Sequence, residues 1–128
     1  MDSKLFVFGA AHSIRELPRL VKDALFQEIR NDTMILVSDQ TKLDHLLQKF
    51  LADVGYSNVT VYSSKQEPAH NLGNWKTRQG NIPDSMANDC TRALALWYVG
   101  IPMTAYMKSL EKTHKYVRIY DSILDKWC

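Results

Sequence analysis

An alternation between two hydrophobic periods constrains this chain more than any other feature. Leu5-Phe6-Val7-Phe8, Met34-Ile35-Leu36-Val37 and Val59-Thr60-Val61-Tyr62 are short, continuous apolar or β-branched runs. Such runs suit strands buried on both faces, because a strand with one wet face alternates apolar with polar residues. Between the runs the spacing becomes helical. Ile14, Leu17, Val21, Leu25 and Ile29 share one face across 14–30, with Ser13 and Glu16 at the separation of a capping box. Leu43, Leu46, Leu47, Phe50, Leu51 and Val54 share another, behind Asp39 or Thr41 as a cap and before Gly55 as a stop. The pattern then continues as a short helix over 85–92 capped by Asp84 or Ser85, a strand over 93–99, a helix over 104–112 and a fifth strand over 116–120. The tail, 121–128, reads as a last helical turn that docks Ile123, Leu124 and Trp127 on the core.

Strands alternating with helices predict an α/β fold. The expected architecture is a single Rossmann-like three-layer domain over 1–128, with about five parallel strands flanked by helices. A length of 128 residues allows one such domain with a real core. Sixteen Lys and Arg against fourteen Asp and Glu give a net charge of +2, which argues against nucleic acid as a partner. The longest apolar stretch, Ala93 to Val99, is far short of a membrane span, and the start of the chain carries Asp2 and only a short apolar run. The expectation is a cytoplasmic protein with no membrane partner. Cys90 and Cys128 show neither CxxC nor His-rich spacing, so no disulfide scaffold, metal or cofactor is expected.

In an open parallel sheet, ligands bind beyond the carboxyl ends of the strands, where the strand order reverses. The segments expected there are 9–14, 38–44, 63–82 and 99–104. Gly9, Ala10, His12 and Ser13 form a strand-to-helix turn that suits an anion facing free N–H groups, or else an ordinary capped turn. Ser38 and Asp39 end the second strand; Asp39 suits a sugar hydroxyl or a glycosidic leaving group, or a helix cap, and Asp44 reads as a solvated first-turn residue. The stretch 63–83 has no apolar periodicity, and a loop of that length is usually functional. Within it Asn71 offers polar edges, Trp75 a stacking surface and Arg78 a phosphate contact, although Trp75 could equally plug the core. Gly100 and Thr104 follow the fourth strand.

These segments, in this order, resemble the SLOG superfamily, the Rossmann-like group that includes the DprA core and the LOG phosphoribohydrolases. The resemblance is nearest to the small bacterial YspA-like branch and runs to about Tyr120. Gly9-Ala10-Ala11-His12-Ser13-Ile14 stands where the family has Gly-Gly-Ser-Arg-Ser-Ile. Ser38-Asp39-Gln40-Thr41-Lys42-Leu43-Asp44 matches Gly-Asp-Ala-x-Gly-x-Asp, and Ile101-Pro102-Met103-Thr104 matches Ser-x-Gly-Thr. The stretch from Leu47 to Tyr62 and the Pro68, Asn71-Leu72-Gly73-Asn74-Trp75, Arg78 loop also fit. Family glycines are replaced by Ala10, Ser38, Lys42 and Met103, and the first-loop arginine by His12. The LOG motif Pro-Gly-Gly-x-Gly-Thr and its downstream glutamate are missing.

The resemblance implies a module that binds a nucleotide or a nucleotide-derived ligand, as a sensor or sequestering protein. A nucleotide N-glycosidase using Asp39 or Asp89 is the enzymatic alternative, and the missing LOG motif weighs against it. A third expectation is a degenerate scaffold, with the tail and the helix bearing Tyr106 and Met107 as the surface for another protein or a second copy in a homo-oligomer.

Overall fold

A computed structural model of the chain describes residues 3–9, 15–97 and 105–128. The first apolar run forms β1 (Lys4–Gly9), whose alternation sends Leu5 and Val7 to one face and Phe6 and Phe8 to the other. Helix α1 (Arg19–Arg30) begins directly after Pro18. The start lies later than the apolar spacing suggests, because the residue preceding a proline is pushed out of the helical region. Ser13 is therefore not its cap. Strand β2 (Met34–Ser38) leads to α2 (Lys42–Asp53), which Thr41 caps in a reciprocal box with Asp44 and Gly55 follows at φ +74°.

Strand β3 (Val59–Ser63) is followed by a long connection and then by β4 (Lys76–Gln79). Helix α3 (Ile82–Asp89) starts three residues ahead of the expected position, since Asn81 accepts the Asp84 amide and Pro83 occupies the first turn. Strand β5 (Arg92–Trp97), helix α4 (Ala105–Lys112) and strand β6 (Tyr116–Asp121) follow. The tail forms β7 (Lys126–Trp127), antiparallel to β6, rather than a helical turn. Asp121 turns the chain there by accepting the Ile123 and Leu124 amides. That turn leaves Ile123 and Leu124 exposed; only Trp127 docks, beneath Arg118 and against Tyr120.

Among the described residues the sheet has seven strands, in the order β4-β3-β2-β1-β5-β6-β7, and all but β7 run parallel. The α/β class holds, but the expected five strands become seven. The two extra strands lie at the sheet edges, where β4 is wholly polar and exposed and β7 has two residues. Neither carries the apolar run that marks a buried strand.

Two cores cover the two faces. Leu5, Val7, Ile35, Val37, Val61 and Leu96 meet α1 and α2, whose Val21, Leu25, Leu47 and Leu51 are fully buried. On the other face Phe6, Phe8, Leu36, Tyr62 and Ala95 meet α3 and α4 through Ile82, Met86 and Leu110. Strand order grows from β1 through β4 on one side and restarts at β5 on the other. The reversal therefore lies between Gly9 and the end of β5. No helix among the described residues is long and apolar enough to cross a membrane.

Candidate functional site

Gly9 closes β1 at the reversal, and packing accounts for its lack of a side chain. A Cβ here would lie 2.7 Å from the Leu96 carbonyl oxygen and 2.3 Å from Leu43 Cδ2. Ala10, His12, Ser13, Met103, Gly100 and Thr104 lie outside the described residues. The part of the carboxyl edge that is described is built by the ends of β2 and β3, the start of α2 and the start of α4.

Asp44 is not a solvated first-turn residue: it is buried. Its Oδ2 accepts the Ser38 hydroxyl and the amides of Gln40 and Thr41, the latter two at 3.0 Å. Burial raises its pKa, and those donors pull it back only in part. Asp44 thus ties the end of β2 to the first turn of α2. Thr41 is the helix cap, which leaves Asp39 for another task.

Asp39 is only 7% exposed. Its Oδ2 accepts the Ser63 hydroxyl at 2.9 Å and the Ala69 amide at 2.7 Å, and so joins β2 to the connection that leaves β3. Beside it opens a cavity of about 350 Å³ lined by Asp39, Gln40, Ser63, Ser64, Lys65 and Ala69. Tyr106 reaches the same edge from α4. Its ring lies against Phe6 and Phe8, and its hydroxyl donates to Gln40 Oε1 at 3.0 Å. Burial raises the Tyr106 pKa, helped by the charges of Asp44 and Asp39.

Gln48 holds the arrangement from below. Fully buried on α2, its Nε2 donates to the carbonyls of Ser38 and His70, and its Oε1 accepts the Leu72 amide. The sequence pointed to Tyr106 only as part of a partner surface, and Gln48 was not singled out. The available signal was a glutamine on the same helical face as Leu47 and Leu51, where a polar group survives only if it is hydrogen-bonded.

The remaining candidates are placed elsewhere. Because β4 is parallel to β3, the connection must return to the amino edge before β4 begins. Trp75 sits at that edge, with its indole N–H donating to the Tyr56 carbonyl at 2.8 Å. Asn71 brackets the Trp75 backbone, accepting its N–H and donating to its carbonyl, both at 2.9 Å. Gly73 lies on the Trp75 ring, so close that a Cβ would come within 2.1 Å of it. These two residues therefore do not join Asp39; they anchor the start of β4. A concavity of about 540 Å³ lies beside them, and among the described residues Lys76 is its one charged lining residue.

Arg78 and Asp89 form a third group. Asp89 Oδ2 accepts the Arg78 guanidinium at 2.5 Å and the Tyr62 hydroxyl at 2.6 Å. Burial, with Asp89 next, pushes the Tyr62 pKa well above the usual tyrosine range. Tyr62 and Ser63 are successive strand residues and point to opposite faces of the sheet. Asp89, bound to Tyr62, and Asp39, bound to Ser63, are thus on opposite sides.

Among the described residues no cluster of three or more His, Cys, Asp or Glu could hold a metal ion. The chain matches no protein-family model, and neither a curated protein nor a solved structure resembles it at a significant level.

Proposed function

We propose that this chain binds a nucleotide or nucleotide-derived ligand at the carboxyl edge of its sheet, as a sensor or sequestering module. One observation carries the reading. The strand order reverses between β1 and β5, and the neighbouring ends of β2 and β3 hold a buried carboxylate at an open polar cavity. Among the described residues no carboxylate lines the amino-edge concavity, and the Trp75 indole and the Asn71 amide there are engaged in anchoring β4. The resemblance to the SLOG superfamily supports the same ligand class. In the hydrolytic alternative Asp39 or Asp89 would act singly, since the sheet separates them.

Thermal-shift and calorimetric titration with AMP, NAD, ADP-ribose and cyclic nucleotides tests the proposal. A saturable stabilisation by at least one of them is expected, because a ligand that binds only the folded state raises its melting temperature. Folded protein that responds to none of them would overturn it.

A further inference from the structure

We infer that the concavity at the amino edge is a second binding site, for a small carboxylate carried on an apolar body. At about 540 Å³ it is larger than the cavity beside Asp39 and falls within the range of small-molecule sites. It lies between the end of α2 and the last residues of the connection before β4. That is the edge opposite the proposed nucleotide site, so the inference stands apart from that proposal.

The polar groups of its wall select an anion. The Lys76 ammonium, the Ser57 hydroxyl and the Asn74 amide line it, and none of the three side chains has a partner among the described residues. Each can donate. The acceptors nearby are already taken. At the end of α2 the carbonyls of Leu51 and Ala52 accept the amides of Tyr56 and Gly55. The Tyr56 carbonyl accepts the Trp75 indole, and the Trp75 carbonyl accepts the Asn71 amide. Among the described residues no carboxylate lines the concavity, and Asp53, the last residue of α2, is engaged by Lys49 at 2.9 Å. A cation beside two neutral donors suits a carboxylate.

The rest of the wall is apolar and decides what the carboxylate is attached to. Leu72 is 44% exposed, yet it is held in place: the fully buried Gln48 accepts its amide at 3.0 Å. A buried polar side chain thus fixes the backbone that displays a leucine to solvent. Ala52 and the Tyr56 ring continue the surface. A bare phosphate would use the donors and leave Leu72 in water. A carboxylate on an aromatic or branched body uses both halves, and burial of Leu72 adds to its binding.

The experiment titrates the isotope-labelled full chain with phenylacetate, phenylacetamide and inorganic phosphate, and follows the backbone amides by NMR at low salt. Phenylacetate should bind saturably with a Kd of about 1 mM or tighter, the scale for a ligand of about ten non-hydrogen atoms. Its shifts should centre on residues 55–57 and 72–76. The uncharged amide should bind about threefold more weakly, a modest ratio because Lys76 is exposed, and added salt should narrow it. In Lys76→Gln the ratio should fall to about one, and in Leu72→Ser both ligands should weaken severalfold. Shifts centred elsewhere, or no saturable response to phenylacetate, would overturn the inference. So would phosphate bound as tightly as phenylacetate, or acid and amide bound equally by the native chain, and these comparisons need no variant to fold. A ratio unchanged in folded Lys76→Gln would overturn the role of the cation and the inference with it.

Discussion

The two edges of the sheet bury polar groups in opposite ways. At the amino edge a chain of pairs runs across the strands. Arg92 grips Glu28 in two parallel contacts and also donates to Ser3; Thr33 donates to Glu28 and offers its carbonyl to Tyr56; Trp75 donates to the carbonyl of Tyr56. The anion there has a cation. At the carboxyl edge Asp39 and Asp44 are held only by hydroxyls and amides among the described residues. The pKa directions record the difference. Burial works to raise Glu28, but the Arg92 guanidinium, the Thr33 hydroxyl and the Arg118 charge together outweigh it and hold the carboxyl below its usual range. Burial of Asp44 is not outweighed, and its pKa stays raised. One edge pairs its anion with a cation, and the other holds its carboxylates through neutral donors, with Lys65 on the wall of the open cavity.

Trp75→Ala should break the amino edge most severely. Removing this core indole is expected to cost about 3–5 kcal/mol, read as a lowered urea midpoint. The milder Trp75→Phe should leave nucleotide affinity unchanged, since the side chain is remote from Asp39; a lost affinity would mean that the connection does reach the ligand.

Arg92→Met comes next, because it leaves the Glu28 carboxylate without its cation. A loss of about 1–3 kcal/mol at neutral pH is expected. Glu28 has a lowered folded pKa, so its contribution is present above the unfolded value near 4.5 and is lost as pH falls through the folded value. The gap between the native chain and Arg92→Met should therefore shrink in acid. A gap that stays constant down to pH 3 would show that the pair is not what Arg92 contributes.

Asp44→Asn should show the opposite sign and the smallest net effect. With its folded pKa raised above 3.8, ionised Asp44 is a cost that is present at neutral pH and relieved as pH falls through the folded value. The variant removes that cost but weakens a capping box worth about 1 kcal/mol. Its stability should stay within about 1 kcal/mol of the native chain at pH 7, and its deficit should grow on acidification. A variant that instead gains relative stability in acid would reverse the assignment.

These contrasts also mark what could be read from residues alone. Continuous apolar runs revealed the central strands, because burial on both faces demands them. The second helix was legible from its apolar face, a cap at Asp39 or Thr41 and the Gly55 stop, although the depth at which Asp44 lies was not, since a first-turn acid looks the same on a wet or a buried turn. Strand β4 was invisible: Lys76, Thr77, Arg78 and Gln79 are all exposed and carry no apolar signal. Missing that strand misplaced Trp75 and Asn71, because a loop without a returning strand need never leave the carboxyl edge. Asp39 was correctly brought to the edge by its position after β2, but its bond to Ala69 joins residues thirty apart and has no local signature.

The connection that carries β4 substitutes irregular chain for the helix that usually joins parallel strands. Beyond the ladder of β4 on β3 and the Ala69 amide on Asp39, it is attached by Gln48 to residues 70 and 72, by Trp75 at one end and by Arg78 with Asp89 at the other. Such a segment can detach as a unit while the central strands stay closed. Amide protons of 76–79 should then exchange with deuterium well before those of β1 and β2. Because Ala69 belongs to the same segment, each such opening would also withdraw one of the two donors that aim Asp39.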